Sequence, residues 1–459
     1  MPLDSSTSPA TDAGDGAATS CDVLVIGGGP AGSTAAAILA GKGRRVVLLE
    51  KERHPRFHIG ESLLPLNLRL FDRLGLREAV AAIGVHKPGA TFVSDEHGRS
   101  TSFNFRDGLN QEYTHSYHVR RDQFDALLFR GAAAQGAEAL DGMRVTAVEL
   151  DAAHGSRVTA RDEAGRERRF VARFVVDASG RDTFLASRMR SKHRNRRNNT
   201  AAVYGHFRGV APRDGVAEDG HITIHLFDHG WFWAIPLPDG LTSIGVVSDP
   251  EFLKTLGKAQ GAAKGGDGKE GGALDAVLRT AVAMSPSLSA RMREAAPAGP
   301  ATGTGNYSYS SSVMAGEGWI MVGDAFAFLD PVFSSGVILA MASAEMGAEA
   351  VDAWLDDPAR AAPLFRTFQR KVRRAVGGLS WLIYRINRPV FRDMFIQPSN
   401  RFRMRQGVVS MLAGDVHADV ARQTPVLAFK AAYYLLSLAY RLGFRLRDGR
   451  LTRLPRVTG

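Results

Sequence analysis

Residues 21–51, CDVLVIGGGPAGSTAAAILAGKGRRVVLLEK, predict a strand, a glycine-rich turn, a helix and a second strand. The turn satisfies the pattern GxGxxG, in which Gly27 makes the tight bend and Gly29 lets the backbone approach a pyrophosphate. Gly32 allows the helix to pack closely on the strand, and the phosphate lies on the helix N-terminus at Ala31. A unit of this kind commits the chain to an α/β fold that binds a dinucleotide.

The end of the second strand supplies the ribose side of the predicted site. Glu50 closes this strand at the position that binds ribose hydroxyls, and Lys51 follows it. Farther along, FVVDASGR (174–181) is a strand that ends in Asp-Ala-Ser-Gly, and WIMVGDAFAFLDPVFSSG (319–336) carries Gly-Asp before a loop. Both segments resemble flavin-contacting segments of the FAD-dependent monooxygenase superfamily, which puts Asp324 on the ribityl chain or the pyrophosphate. No second dinucleotide turn of this kind follows, so FAD is expected rather than a nicotinamide cofactor.

The order of predicted elements describes an α/β protein. It has a FAD-binding Rossmann-like domain of the glutathione-reductase type, an inserted and mostly antiparallel β-sheet substrate domain, and a helical C-terminal region. Alternating strands fill 196–250, Pro-Asp-Gly at 238–240 predicts a hairpin turn, and the glycine-rich stretch 257–273 predicts a flexible surface loop. The expected boundaries are a disordered tail over 1–20, the FAD-binding domain over 21–85, 119–190 and 300–365, the substrate domain over 86–118 and 191–299, and the helical region over 366–459.

Composition restricts the compartment and the partners. The net charge is +11, but the basic run RMRSKHRNRR (188–197) has no nucleic-acid motif around it, so we expect a solvated loop. The single cysteine, Cys21, excludes an intramolecular disulfide, and the small, polar start of the chain does not resemble a signal peptide. We therefore expect a cytoplasmic protein. The segment nearest to a membrane span, 425–444, predicts a buried amphipathic helix, with peripheral docking on an anionic membrane as the alternative.

Longer motifs resemble the flavin-dependent halogenases. GWFWAIP (230–236) matches the W-x-W-x-I-P signature of that family, and HKPGATF (86–92) contains its lysine. Three further segments match the same family: HIGESLLP (58–65) in the loop after the second strand, DPVFSSGV (330–337) in the loop beside the flavin, and FRDMFIQPSNRFRMRQGVVSMLAGDV (391–416) in the C-terminal region. The resemblance extends from about Cys21 to Val416.

This resemblance implies a reaction and a set of site residues. Reduced FAD, supplied by a separate flavin reductase, and oxygen convert chloride or bromide into hypohalous acid, which halogenates an activated aromatic substrate. The implied roles are Ser62 and Arg121 on the flavin, Ser335 and Gly336 around the halide with Gly336 also on the flavin, Lys87 as the holder of hypohalous acid through a hydrogen bond or a haloamine, and Trp231, Trp233 and Pro236 as a rigid barrier between flavin and substrate. Core packing also explains paired tryptophans, and a surface salt bridge also explains the arginine.

One position departs from the family pattern. Tryptophan-type members carry an acidic residue in D-P-x-E-S-x-G, where this chain has Phe333. The missing carboxylate implies a phenol or pyrrole that activates its own ring, free or tethered to an acyl carrier protein. The alternatives are an aromatic hydroxylase or epoxidase, a prenyl reductase, and a non-halogenating flavoprotein partner in pigment or polyketide assembly. We expect no nucleic acid and no metal, because His206, His225 and His229 lack metal-ligand spacing with acidic partners.

Overall fold

The computed structural model describes residues 18–195, 199–213, 220–259, 270–305, 308–415, 422–447 and 450–453. The strands are β1 (Thr19–Ile26), β2 (Val46–Leu49), β3 (Gly84–Lys87), β4 (Gly89–Ser94), β5 (Arg99–Asn104), β6 (Ser116–Val119), β7 (Glu138–Leu140), β8 (Met143–Glu149), β9 (Ser156–Asp162), β10 (Glu167–Asp177), β11 (Lys192–Arg194), β12 (Ala201–Arg208), β13 (Ile222–Phe227), β14 (Gly230–Pro236), β15 (Leu241–Ser248), β16 (Ala296–Pro297), β17 (Thr302–Gly305), β18 (Tyr309–Ser311), β19 (Ala315–Gly316), β20 (Trp319–Met321), β21 (Ala327–Phe328), β22 (Phe444–Arg447) and β23 (Arg450–Arg453). The helices are α1 (Pro30–Gly41), α2 (Asn67–Leu74), α3 (Arg77–Ala82), α4 (Arg121–Ala134), α5 (Phe184–Arg188), α6 (Pro250–Ala259), α7 (Glu270–Val282), α8 (Pro286–Arg291), α9 (Gly336–Asp356), α10 (Pro358–Ile383), α11 (Pro389–Ile396), α12 (Met404–Leu412) and α13 (Thr424–Arg441).

The first large sheet has a parallel centre and runs in the order β19-β20-β10-β1-β2-β7, with β8 and β9 folded onto β10. Its central strands are apolar where they pair with one another, over 23–26, 46–49 and 174–176, because both faces of the sheet are covered there. Val23 and Val25 of β1 belong to the main core with α1 and α9, whereas Leu24 and Ile26 pack with residues of β8, β9 and β10 in a separate core. This arrangement places the glycine turn at the carboxyl edge of the sheet.

The second large sheet follows the order β16-β12-β15-β14-β13-β4-β5, and β17 also pairs with β12. All its pairs are antiparallel except β13 with β4. Trp231 and Trp233 on β14 belong to the main core, whereas Phe232 between them packs in a separate core with α6, α7 and α8. The two faces of this one strand therefore serve different parts of the molecule, as strand alternation predicts.

The predicted α/β architecture with an antiparallel sheet and C-terminal helices is confirmed, but several local expectations are wrong. Strand β1 begins at Thr19, inside the expected tail, of which residues 1–17 lie outside the described chain. The expected flexible loop 257–273 contains the end of α6 and the start of α7, and part of the expected basic loop forms β11. Residues 260–269 and 196–198 of these two segments lie outside the described chain.

The C-terminal region also differs from the prediction. Helix α10 crosses the expected boundary between 365 and 366, and the chain after α13 forms the hairpin β22–β23 rather than a helix. The segment predicted as a buried helix forms α13, in which Val426 and Phe429 are buried but Leu435 is 70% exposed. None of the helices that the structure describes is long and apolar enough to cross a membrane.

Candidate functional site

A cavity of about 730 Å³ opens at the carboxyl ends of β1, β2 and β10 and extends to β14. Ligands bind at this edge in open α/β sheets, and the volume is typical of a cofactor site. The predicted site residues that line it are Gly27, Gly29, Ala31, Glu50, Lys51, Ser62, Arg121, Trp231, Trp233, Asp324 and Gly336. Four predicted residues are not in the lining: Gly32, Lys87, Pro236 and Ser335.

The glycine turn has the geometry that its sequence predicts. Gly27 has φ +100°, and a Cβ there would lie 2.4 Å from the carbonyl oxygen of Ala178 on the neighbouring loop. A Cβ on Gly32 would lie 1.8 Å from the carbonyl oxygen of Gly27, so Gly32 serves packing rather than contact with a ligand. A Cβ on Gly29 would meet only the end of the Arg56 side chain at 3.5 Å. Among the described residues no side chain caps α1 and its first turn has no acid, which leaves its N-terminus open to a phosphate.

One connected network of charged side chains fixes the loop that follows β2. Glu50 accepts a 2.8 Å hydrogen bond from the backbone N–H of Gly28 and pairs with Arg56. Arg56 also pairs with Asp125, which receives two hydrogen bonds from Arg121 at 2.8 and 3.0 Å. Arg121 is buried, so the alternative of a surface salt bridge is wrong. Burial alone would raise the pKa of Asp125, but Arg121 and Arg56 lower it, so the carboxylate stays charged.

Lys51 lies at the exposed rim of the cavity. Its Nζ atom is 2.6 Å from a carboxylate oxygen of Asp182, and both residues line the cavity. An exposed pair of this kind contributes little stability. The lysine is therefore available to an anionic cofactor group at the mouth of the site.

Asp324 and the start of α9 line the cavity beside the N-terminal part of α1. Burial raises the pKa of the Asp324 carboxyl to about 7, although the charges of Arg121 and Arg181 oppose this shift. Helix α9 begins at Gly336, as predicted, and Ser334 in the left-handed conformation (φ +56°) turns the chain into it. Ser334 and Gly336 line the cavity, whereas Ser335 is buried outside the lining. The predicted serine is thus displaced by one residue from the one that faces the cavity.

The paired tryptophans form the β14 wall of the cavity. Their ring centroids are 5.8 Å apart, and Nε1 of Trp233 donates a 3.0 Å hydrogen bond to Oγ of Ser243. Trp233 lies over Gly245 on β15, where a Cβ would come within 2.2 Å of the indole. Ile235 is the next residue of the strand to line the cavity, and Pro236 at the strand end lies outside it. The wall therefore consists of Trp231, Trp233 and Ile235.

Lys87 is only 1% exposed and lies directly behind the cavity lining. Its Nζ atom donates hydrogen bonds of 2.8 Å to Oγ of Ser62 and 2.7 Å to the carbonyl oxygen of Leu63. It also lies 5.3 Å from the centroid of the Phe105 ring. Burial lowers the pKa of the Lys87 ammonium to about 7. A substantial fraction of Lys87 is therefore a neutral amine near neutral pH. Its hydrogen-bond partner Ser62 lines the cavity and so connects the amine to it.

Strand register brings two further polar groups to Lys87. Lys87 on β3 pairs with Ser116 on β6, and Ser62 forms an isolated β-bridge with His118 two residues along. Nε2 of His118 donates a 2.8 Å hydrogen bond to the carbonyl of Gly220, so its Nδ1 is unprotonated. Within the described chain, Nδ1 of His118 and Oγ of Ser116 are buried without a hydrogen-bond partner. Burial, followed by the charge of Lys87, lowers the pKa of His118 well below its usual value and keeps the ring neutral.

The structure adds lining residues that the sequence reasoning did not single out. Arg56 and Glu61 come from the loop around Ser62, and Glu61 accepts a 2.6 Å hydrogen bond from His206. At the other end the lining includes Arg181, residues 143–146 and part of α5. The sequence contained one indication that Arg181 belongs to the site: Gly-Arg-Asp follows directly on the Asp-Ala-Ser at the end of strand β10.

The two other histidines considered in the sequence, His225 and His229, make structural contacts. His225 is hydrogen-bonded to Ser287, and the ring of His229 stacks on Phe252 at 4.0 Å. In the part of the chain that the structure describes, no group of three or more His, Cys, Asp and Glu is placed to hold a metal ion.

The cavity fits FAD on its own geometry. The close-packed glycine turn and the uncapped N-terminus of α1 leave room for a pyrophosphate, Glu50 lines the cavity next to them, and the wall of Trp231 and Trp233 lines another part of it. In agreement, residues 20–228 match the family model described as FAD binding domain.

Three curated relatives are named as halogenases or as a chlorinase. A tryptophan 2-halogenase of Chondromyces crocatus is 34% identical over 72% of this chain and 61% of its own length. The flavin-dependent halogenase gsfI of Penicillium aethiopicum is 33% identical over 77% of this chain and 68% of its own. A 1H-pyrrole-2-carbonyl-[peptidyl-carrier protein] chlorinase of Pseudomonas fluorescens is 26% identical over 86% of this chain and 90% of its own.

A solved structure agrees with these relatives over nearly its whole length. The myxobacterial chondrochloren halogenase CndH matches with a TM-score of 0.73 and 30% identity, covering 94% of this chain and 99% of that one. This chain spans about three fifths of the length of the Chondromyces tryptophan 2-halogenase. The predicted resemblance is confirmed, and the chain, which carries an FAD-binding domain, belongs to the flavin-dependent halogenases.

Proposed function

We propose that the protein is an FAD-dependent halogenase that uses reduced FAD, oxygen and chloride or bromide to halogenate an activated aromatic substrate. The observation that carries the proposal is the buried amine of Lys87, hydrogen-bonded to Ser62 in the cavity lining. A buried, weakly basic amine is costly to maintain and is typical of a functional site. FAD binding alone does not require a buried lysine at this position, since Lys87 is outside the cavity lining.

When bound, reduced FAD would supply the electrons that activate oxygen as the oxidant of the halide, and a separate flavin reductase provides the reduced form. The backbone around Gly29 and the N-terminus of α1 would hold the pyrophosphate, with Glu50 on the ribose. Asp324 faces the ribityl chain. The halide binds at the N-terminus of α9, where Gly336 lines the cavity and Ser335 contributes only its backbone N–H.

Lys87 then holds the hypohalous acid and delivers its halogen. It does so either by donating a hydrogen bond to the acid or as a haloamine. In the second case Lys–NH₂ and HOX give Lys–NHX and water, and the aromatic C–H then takes the halogen and returns its proton to the amine. The depressed pKa of Lys87 makes the required neutral amine available. The wall of Trp231 and Trp233 keeps the organic substrate from the flavin.

The substrate proposed is a phenol or pyrrole, free or tethered to an acyl carrier protein. Phe333 stands where tryptophan-type members have a carboxylate, and its ring packs 6.2 Å from Phe92 and 6.0 Å from Phe395. Such a position offers no negative charge, so the substrate must supply its own activating heteroatom. The carrier-protein chlorinase among the relatives supports a tethered pyrrole, and the net charge of +11 suits an acidic carrier. Tryptophan is the rival substrate, favoured only by the tryptophan 2-halogenase relative.

Intact-protein mass spectrometry tests this proposal. The chain is incubated with FAD, a flavin reductase, NADH, oxygen and bromide, together with a pyrrolyl-loaded carrier protein, a free phenol or tryptophan. We expect one bromine on the carrier-bound pyrrole or the phenol, none on tryptophan, and none with the Lys87→Met variant.

Each of the other outcomes indicates a different activity for this chain. Oxygenated product without halide dependence indicates a hydroxylase or epoxidase, and reduction of a prenyl chain indicates a prenyl reductase. Flavin turnover that modifies none of the substrates, with every halide tested, supports the non-halogenating partner and overturns the proposal.

A further inference from the structure

Helix α13 turns an apolar face toward solvent. Leu427, Tyr434, Leu435 and Leu438 are each more than half exposed, and Leu442 extends the row beyond the helix end. Intervals of three, four and seven residues place them on one side of the helix. The opposite side of the helix carries the buried residues Val426 and Phe429, and the hydroxyl of Tyr434, at the edge of the exposed row, accepts a 3.1 Å hydrogen bond from Nε1 of Trp381 on α10.

Neighbouring segments enlarge this face. Phe402, on the turn over 401–403, is 77% exposed, and Leu451 on the hairpin β22–β23 is half exposed. Both segments lie against α13. Seven of the eleven large apolar side chains exposed in the described chain belong to this C-terminal patch. An exposed apolar patch of that kind is typical of a surface that contacts a membrane or another protein.

The C-terminal sequence that carries most of the patch is strongly basic. From residue 421 to 459 the sequence has seven arginines and one lysine against a single acid, Asp448. Arg403 and Arg441 are exposed at the edges of the patch. Lys430 and Arg385 lie over the Trp381 ring beside α13, at 5.4 and 4.5 Å from its centroid. The occupant of the face must therefore be anionic.

We propose that this patch docks on an anionic membrane surface, with α13 lying in the plane of the lipid headgroups. The row from Leu427 to Leu442 is about 22 Å long at the rise of a helix, and each of its four leucines is more than half exposed. Long apolar side chains with basic residues at the edges and a tyrosine–tryptophan cluster are the composition of an interfacial helix. An acidic protein would instead need a shaped recess for its own side chains. This inference does not rest on the proposed reaction.

Vesicle co-sedimentation of the full chain tests the proposal. We expect pelleting with vesicles of phosphatidylglycerol and phosphatidylcholine, little with phosphatidylcholine alone, and release by salt. The double variant Leu435→Ser/Leu438→Ser should lower binding about tenfold or more, and Arg441→Gln about fivefold. Leu364→Ser and Arg360→Gln, at exposed positions of α10, are matched controls that should bind as the parent does.

Several results would overturn the proposal. Absence of pelleting with anionic vesicles is one, and equal binding by the leucine double variant is another. A dimer in gel filtration that the double variant dissociates assigns the patch to a second copy of the chain. Cross-linking of the patch to an acidic carrier protein, without vesicle binding, assigns it to that carrier. Unchanged melting temperature and FAD binding confirm that the variants are folded, and no arm of the test requires substrate turnover.

Discussion

The amine of Lys87 lies 2.8 Å from the hydroxyl of Ser62, and Ser62 itself faces the flavin cavity. The serine is thus the only described residue that both lines the cavity and receives a hydrogen bond from Nζ of Lys87. Ser62 therefore lies between the cofactor cavity and the buried lysine. Under the proposed function, residues in the lining bind the cofactor, while the lysine behind them acts on the hypohalous acid formed there.

Lys87→Met should lower the rate of halogen incorporation at least about 100-fold while leaving FAD binding unchanged. The variant loses the group that holds the halogen but alters nothing in the cavity lining. Methionine removes the cost of a buried ammonium yet leaves the carbonyl of Leu63 without its donor, so the unfolding free energy should change by less than about 2 kcal/mol. Flavin fluorescence, urea unfolding and product mass spectrometry measure the three quantities. Normal halogenation by the variant would remove the lysine from the mechanism.

The depressed pKa of Lys87 makes a prediction about stability. Its pKa is about 7 in the folded chain against 10.5 in the unfolded chain. Between these values the unfolded chain binds more protons, so this residue makes the unfolding free energy rise with pH across that window. Urea unfolding of the parent and of Lys87→Met at a series of pH values, with FAD held constant, isolates the effect because all other groups cancel. The parent should gain stability relative to the variant as pH rises; a flat or falling difference contradicts the assignment.

The part of the site that the sequence predicts correctly depends on short-range geometry. A GxGxxG turn fixes its own backbone, and strand alternation places Trp231 and Trp233 together whatever surrounds them. The halide role of Ser335 stays a prediction, but Ser334 is the serine that lines the cavity, because its left-handed conformation rotates the chain just before the helix. Sequence spacing contains no information on that rotation.

The part that could not be predicted depends on contacts between distant segments. His118 reaches the neighbourhood of Lys87 through the pairing of β3 with β6, and Glu61 meets His206 across 145 positions of the chain. The exposure of α13 was missed for a different reason. Its residues are apolar on both sides, so periodicity alone does not identify which face the protein covers.

Two glycines of the same turn should respond differently to alanine. Gly32→Ala places a Cβ against the carbonyl oxygen of Gly27 and should lower both the melting temperature and FAD affinity. Gly29→Ala has open space around its Cβ, so the flavin-free protein should keep its melting temperature. Its methyl group nevertheless lies where the pyrophosphate approaches, and FAD affinity should fall about tenfold or more. Thermal unfolding without FAD and fluorescence titration with FAD measure the two effects; equal melting temperatures for both variants would contradict the packing role of Gly32.

The tryptophan wall can be tested against ordinary packing with two substitutions on one strand. Trp233→Ala and Phe232→Ala each remove a buried aromatic ring and should lower the unfolding free energy by about 3–5 kcal/mol. Only the first opens the cavity wall, because Phe232 belongs to the separate core on the other face of β14.

If the wall keeps substrate from the flavin, Trp233→Ala should yield oxygenated aromatic product in addition to halogenated product, whereas Phe232→Ala should not. Gly245→Ala provides a third arm, since its Cβ displaces the Trp233 ring without removing it. It should produce a smaller fraction of oxygenated product than Trp233→Ala. Chromatography of products at equal FAD occupancy makes the measurement. The same product ratio from the Trp233 and Phe232 variants would mean that the tryptophans serve the core alone.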